Sequence, residues 1–138
     1  MDNKALNYLS LARKGGLAEL GEEPVGAAAR AGKAYVILVA SDASDHTWRR
    51  AKSFAAGTEQ QCVRMEATKD EMGLMVGRTS LAIAAITDAP LALALLQSLP
   101  EPEKYRSAIQ VLEEKSRKLK KRQQEAKAHL RNVRKGKK

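Results

Sequence analysis

Two short apolar runs limit what this chain can fold into. Ala34–Ala40 and Leu81–Ile86 are each of strand length, and neither contains a charged residue. A strand with one face in water would alternate apolar and polar residues, so unbroken runs predict strands that are covered on both faces. A sheet that contains them needs helices on each side.

The remaining segments supply those helices. Amphipathic stretches bounded by glycine, proline or capping residues predict helices over residues 3–14, 22–31, 45–56, 69–76 and 90–99. Two further short strands are predicted at residues 17–20 and 62–65. Alternation of helices and strands is typical of a mostly parallel sheet. We therefore expect the α/β class, as a three-layer α-β-α sandwich with a mostly parallel sheet.

The net charge of +9 is confined to one end of the chain. Residues 113–138, called here the basic segment, hold 12 Lys and Arg against 3 Glu, whereas residues 1–112 hold 13 of each sign. A cationic segment binds phosphates with release of counterions, so it is the usual footprint of a nucleic-acid partner. Its predicted RNA-binding residues are Lys118, Lys120, Lys121 and Arg122. The alternative is an inert solubilising segment.

The chain's 138 residues predict one domain with an appendage. We place a folded domain at residues 1–100 and a basic C-terminal extension at residues 101–138. Apolar residues recur every seven positions in the extension, which favours a helix, but Ser116 and Gln123 interrupt the stripe. The extension is therefore predicted to be helical, or solvated until a partner binds.

Several classes of function lack their usual signals. Cys62 is the single cysteine, so an internal disulfide is not expected. A chain without disulfides is typical of a reducing, cytoplasmic setting. His46 and His129 lie far apart, and no phosphate loop, dinucleotide fingerprint or nucleophile arrangement is present. We predict no catalytic residues, no metal and no cofactor. No apolar run reaches the ~18 residues of a membrane span. Trp48 is expected to pack rather than to stack on a base, since no second aromatic neighbours it.

Six stretches of the body resemble a known family in their order and spacing. They are residues 11–17 (LARKGGL), 21–25 (GEEPV), 32–34 (GKA), 36–44 (VILVASDAS), 69–77 (KDEMGLMVG) and 85–88 (AITD). Together they make residues 5–97 similar to the superfamily of the large-subunit ribosomal proteins called seven-Ae and thirty-e and their bacterial homologues. The resemblance implies an α-β-α sandwich that binds folded RNA, which in many members is a kink-turn.

The resemblance also implies where RNA would bind, at the start of the second helix and in the loop after the fourth. The corresponding residues are Gly21, Glu22, Glu23, Gly77, Arg78, Thr79 and Ser80. By its charge, Lys33 is a further candidate for contact with the RNA backbone, and the alternative is an ordinary surface residue. A carboxylate there can accept from guanine N–H groups, and Arg78 can reach phosphate. Many kink-turn binders carry Glu and Lys where this chain has Pro24 and Ala27.

Each of these residues also has a purely structural interpretation. The two glutamates can complement the helix dipole, and Gly77 can end a helix. We predict a non-enzymatic, cytoplasmic, ribosome-associated RNA-binding protein of translation. The alternative is a protein–protein module of a ribonucleoprotein in which only the basic segment contacts RNA. The expected partner is structured RNA, with ribosomal proteins as further candidates, and no membrane.

Overall fold

The computed structural model describes residues 4–135, and the side chains of residues 4–130. Every helix and strand predicted for the first hundred residues is present, with bounds that differ by one or two residues. The elements are α1 (Lys4–Lys14), β1 (Ala18–Leu20), α2 (Glu22–Arg30), β2 (Val36–Val39), α3 (Asp45–Ala55), β3 (Gln61–Arg64), α4 (Lys69–Met75), β4 (Ile83–Ile86), α5 (Ala89–Gln97) and α6 (Arg106–Lys135). A single 3-10 turn, Pro102–Tyr105, precedes α6.

Side-chain caps start three of the helices. The Ser44 hydroxyl accepts a hydrogen bond from the Thr47 amide, and the Asp88 carboxylate accepts one from the Leu91 amide. Thr68 and Glu71 form a reciprocal capping box at the start of α4. These caps satisfy amide groups that a helix leaves unpaired in its first turn, which explains why the helices begin where they do.

The sheet is mostly antiparallel, so the prediction of a mostly parallel sheet was wrong. The strand order is β1-β4-β2-β3, and only β2 and β3 pair in parallel. The reversal comes from the segment after α4, which returns to the start of this seven-residue helix. The Leu81 amide bonds back to the carbonyl of Lys69, where α4 begins. The chain therefore enters β4 at the end where it left β3, and β4 inserts in reverse between β1 and β2.

Helices cover both faces of the sheet, as the apolar runs predict. Val36 and Leu38 point into a first core with α1, α4, α5 and α6. Ile37 and Val39 point into a second core with α2 and α3. All four side chains are fully buried, which accounts for the absence of polar residues from this strand.

The two ends of the central strand β2 define two ends of the sheet, called here the loop end and the exit end. At the loop end, Val39 lies beside Ile83, and the carbonyl of Ile83 accepts a 3.0 Å hydrogen bond from the Gly21 amide. At the exit end, Val36 lies beside both Gln61 and Ile86. Val36 and Val39 are three residues apart along β2, so the two ends are separated by about 10 Å.

The described part of the basic segment, up to Lys135, is helical, and α6 leaves the body at the exit end. Ala108 and Leu112 belong to the first core, and Ser116 is only 6% exposed. Ser116 thus lies on the packed face of α6, where its small side chain allows close approach, rather than interrupting that face. From residue 120 to residue 130 every side chain is exposed, while residues 136–138 lie outside the described residues. The domain division at residue 100 stays a prediction.

Candidate nucleic-acid interface

The two segments that the resemblance singles out lie side by side at the loop end. Gly21 precedes α2 with φ of 95°, a conformation that favours glycine. A methyl group added to Gly21 would lie 3.7 Å from Nη1 of Arg78, in the loop after α4. The fold therefore brings Gly21 and Arg78 together, although α2, α3 and α4 separate them along the chain.

The loop that carries Arg78 is held closely against α4. The Arg78 amide donates to the Gly73 carbonyl at 2.8 Å, and the Val76 amide donates to the same carbonyl at 3.0 Å. Gly77, with φ of 74°, makes the turn between them. Gly77 therefore ends α4, which is the structural role that the sequence also allows for it. The same turn exposes Arg78, Thr79 and Ser80 to solvent.

Beside this loop lies an open depression of about 570 Å³. It is lined by Asp70, Leu74, Gly77, Arg78 and Thr79. The Leu74 side chain is 79% exposed, which is unusual for a large apolar residue. A guanidinium, a hydroxyl and an exposed apolar side chain together suit a nucleotide with its base unstacked, whereas the Asp70 carboxylate would repel phosphate.

The two glutamates at the start of α2 differ in their surroundings. Glu22 Oε1 accepts a hydrogen bond from Arg50 Nε on α3 at 2.7 Å. Arg50 in turn lies over the Phe54 ring, 5.1 Å from its centroid. Glu23 is exposed and makes no ion pair with any described residue. Of the two predicted base-reading carboxylates, only Glu22 has an ion-pair partner among the residues that the structure describes.

Sequence reasoning missed Arg50. The i, i+4 spacing of Arg50 and Phe54 can be read from the sequence, but the pairing with Glu22 depends on how α2 and α3 pack. That packing is close at Gly26, where an added methyl group would lie 3.0 Å from the Phe54 Cζ atom and the ring would have to shift by a few tenths of an ångström.

Lys33 does not join the Gly21–Arg78 site. It follows α2, whose nine residues place it about 13 Å along the helix axis from Gly21. There Lys33 lines a separate depression of about 440 Å³ together with Pro24 and Ala27, the two positions that depart from the kink-turn pattern.

The predicted contacts of the basic segment lie at the other end of the sheet. Lys115 Nζ lies 2.9 Å from Oε2 of Glu59, which comes just before β3 at the exit end. The hydrogen bond from Lys115, the charge of Lys115 and the charge of Lys118 hold the pKa of Glu59 below its usual value. Lys118, Lys120, Lys121 and Arg122 are exposed beyond that anchor. They form a second surface, apart from the Gly21–Arg78 site.

The described part of the chain shows no metal site, no membrane-spanning helix and no activated thiol. Within residues 4–135, no group of three or more His, Cys, Asp or Glu side chains is arranged to hold a metal ion. Over the same range, none of the helices combines the length and apolarity needed to cross a bilayer. Burial raises the pKa of the Cys62 thiol to about 11, so its reactive thiolate form is suppressed at neutral pH.

Comparison with known proteins identifies the fold and no family. No family model and no curated protein matches the chain. A protein of unknown function from Bacillus halodurans superposes with a TM-score of 0.66 at 22% identity, covering 70% of this chain and 97% of that one. The Giardia lamblia 15.5kD RNA binding protein superposes with a TM-score of 0.60 at 14% identity, covering 78% of this chain and 92% of that one. Identities this low establish a shared fold alone.

Proposed function

We propose that this chain is a non-enzymatic RNA-binding protein that acts on the ribosome in the cytoplasm and recognises a folded RNA of the kink-turn class. One observation carries the proposal: Gly21 and Arg78, from two segments far apart in sequence, meet at the loop end. These are the segments that the family resemblance assigns to RNA. A fold shared with the Giardia lamblia 15.5kD RNA binding protein supports the same partner.

The geometry suggests how the loop end would hold RNA. Arg78 would bind a phosphate, and Leu74 would pack on a base turned out of its stack. Glu23, free of any ion pair with a described residue, would accept from the N–H groups of a guanine. The backbone at Gly21 and Gly77 leaves room for close approach, because neither residue has a side chain.

The basic segment would contribute a different kind of binding energy. Its exposed cations neutralise phosphates without reading bases, so they raise affinity and association rate for any RNA. Since the segment leaves the body at the exit end, the phosphates that it contacts belong to a different stretch of RNA from the one at Arg78.

A comparison of two RNAs tests the proposal. A synthetic kink-turn RNA and an unkinked duplex of equal length are titrated with the full chain, with Arg78→Ala and with the control Arg13→Ala. Arg13 is exposed at the end of α1, on the opposite face of the sheet from α2 and α3. We expect preference for the kink-turn, and about tenfold weaker binding by Arg78→Ala, or about 1.4 kcal/mol, with little change in the control.

A second candidate function has its own support. Glu22 is already paired with Arg50, and Pro24 and Ala27 replace the residues that many kink-turn binders carry. These features favour a protein–protein module of a ribonucleoprotein whose basic segment alone contacts RNA. Equal affinity for kinked and unkinked RNA, unaffected by Arg78→Ala, would favour this second function over the first.

A further inference from the structure

A cluster of cations surrounds Trp48 on the surface formed by α3 and β3. The Arg64 guanidinium carbon lies 4.8 Å from the centroid of the Trp48 ring, and Lys52 Nζ lies 5.5 Å from it. Both distances are within the range of cation–π attraction. The ring itself packs against the second core, as the sequence predicts, so Trp48 is a fixed platform that orders two cations from different elements.

The charge of this cluster is not neutralised within the described residues. Lys52 and Arg64 make no ion pair there, and neither does Arg49, which is one helical turn from Lys52. All three side chains are exposed. Arg50 and Lys115, by contrast, each have a carboxylate partner. Ordered cations without carboxylate partners suit an anion from another molecule.

The cluster begins at the loop end, where Arg64 pairs with Val39, and continues along α3 through Lys52 toward the exit end. At the loop end, Arg50 on the same helix reaches across to Glu22 beside Gly21. At the exit end, α3 leads into the loop whose Glu59 pairs with Lys115, where α6 leaves the body. A strand of RNA that runs from Arg78 to the basic segment along this side of the sheet must cross α3 and β3.

We propose that Arg49, Lys52 and Arg64 form a phosphate-binding track that carries the RNA backbone from the loop end to the basic segment. The inference rests on the proposed function and adds a third contact surface to it. The ligand chemistry is the phosphodiester backbone, bound without base readout, since the cluster offers cations to phosphate and its ring is already covered by Arg64 and Lys52.

Salt dependence of binding tests the track, with a long-stemmed synthetic kink-turn RNA as the probe. The variant Lys52→Gln/Arg64→Gln is compared with the charge-matched control Arg13→Gln/Lys14→Gln. The logarithm of the binding constant falls as log salt rises, and each phosphate that is no longer neutralised should make this slope shallower by ~0.7–0.9. The first variant removes two cations, so we expect its slope to be shallower by ~1.4–1.8. The control should keep the slope of the unaltered chain.

Two further measurements keep the test decisive. Trp48 is the chain's one tryptophan, so its fluorescence reports on the track directly, and bound RNA should shield it from acrylamide quenching. The single variant Arg49→Gln removes a cation that has no ring contact, so it tests the track if the double variant fails to fold.

Equal slopes in the two double variants, or a Trp48 quenching constant that RNA leaves unchanged, would overturn the track while leaving the proposed function in place. If the unaltered chain fails to bind the kink-turn RNA at all, the proposed function fails first and the track fails with it.

Discussion

The amide nitrogen of Ser80 lies directly against Gly73, so that a methyl group added to Gly73 would be 2.8 Å from it. The carbonyl oxygen of Arg78 would be equally close. Both neighbours are backbone atoms and cannot swing aside. The shape of the loop that presents Arg78 therefore depends on the absence of a side chain at residue 73.

Gly73→Ala should consequently destabilise the fold and displace the loop. Overpacking of this kind typically costs about 1–3 kcal/mol, to be measured by urea unfolding. The control is Gly15→Ala, whose added methyl group would have only ordinary contacts, the nearest at 3.5 Å. If the two variants have the same free energy of unfolding, the loop does not pack on α4 as described.

Removal of residues 120–138 should weaken RNA binding without lowering the stability of the fold. The cut spares Ala108, Leu112 and Ser116, the packed residues of α6, so the unfolding temperature should change little. The slope of log K against log salt should become shallower, by ~0.7–0.9 for each phosphate that the shortened chain leaves unneutralised.

A longer truncation provides the contrast. Removal of residues 108–138 takes away the packed face of α6 and should lower the unfolding temperature. If the shorter truncation binds RNA with the salt slope of the full chain, residues 120–138 make no contact with phosphate.

The glutamates at the start of α2 should behave differently in RNA binding. Glu23→Gln removes the free carboxylate, and we expect about tenfold weaker binding to a kink-turn RNA because a charge-assisted hydrogen bond is removed. Glu22→Gln breaks a partly exposed ion pair with Arg50, which should cost under ~1 kcal/mol of stability and affect RNA binding less. If Glu22→Gln weakened RNA binding more than Glu23→Gln, the assignment of base recognition to Glu23 would be wrong.

Cys62 should react slowly with alkylating reagents. Its pKa rises from 9.0 to about 11 because burial disfavours the thiolate, although Lys52 and Arg64 oppose the rise. A rise of that size means about 100-fold less thiolate at pH 8, and the rate of reaction with iodoacetamide should fall by a similar factor relative to the urea-unfolded chain. The rate in the native protein should climb steadily as pH is raised toward 11. Equal rates in the native and unfolded chains would contradict the burial of this thiol.

The sequence predicts local structure well here and long-range geometry poorly. Apolar runs locate β2 and β4, and capping residues such as Ser44 and Thr68 locate helix starts, because both signals act between neighbours in the chain. The direction of β4 depends on the return of the chain to the start of α4, where Leu81 bonds to Lys69, and periodicity does not report that contact. Hence the strands were predicted and the pairing of the sheet was not.

The candidate site divides in the same way. Gly21 and Arg78 were singled out through a family resemblance, and the structure brings them together. The pairing of Glu22 with Arg50 and the approach of Arg64 to Trp48 cross between elements, so no spacing in the sequence announces them. Ser116 was misjudged in the opposite direction. Its polarity suggests a break in the apolar stripe of the extension, whereas the structure buries it, because a small side chain is compatible with a close helix contact.

The continuity of α6 has a geometric consequence. Thirty residues in one helix extend about 45 Å, and the packed turns up to Ser116 fix the direction of the rest. Lys120, Lys121 and Arg122 therefore project from the body in a direction that the packed turns of α6 set. Under the proposed function, an RNA that contacts both these cations and Arg78 would have to bend around the edge of the sheet, so the direction of α6 would add a requirement of shape to that of charge.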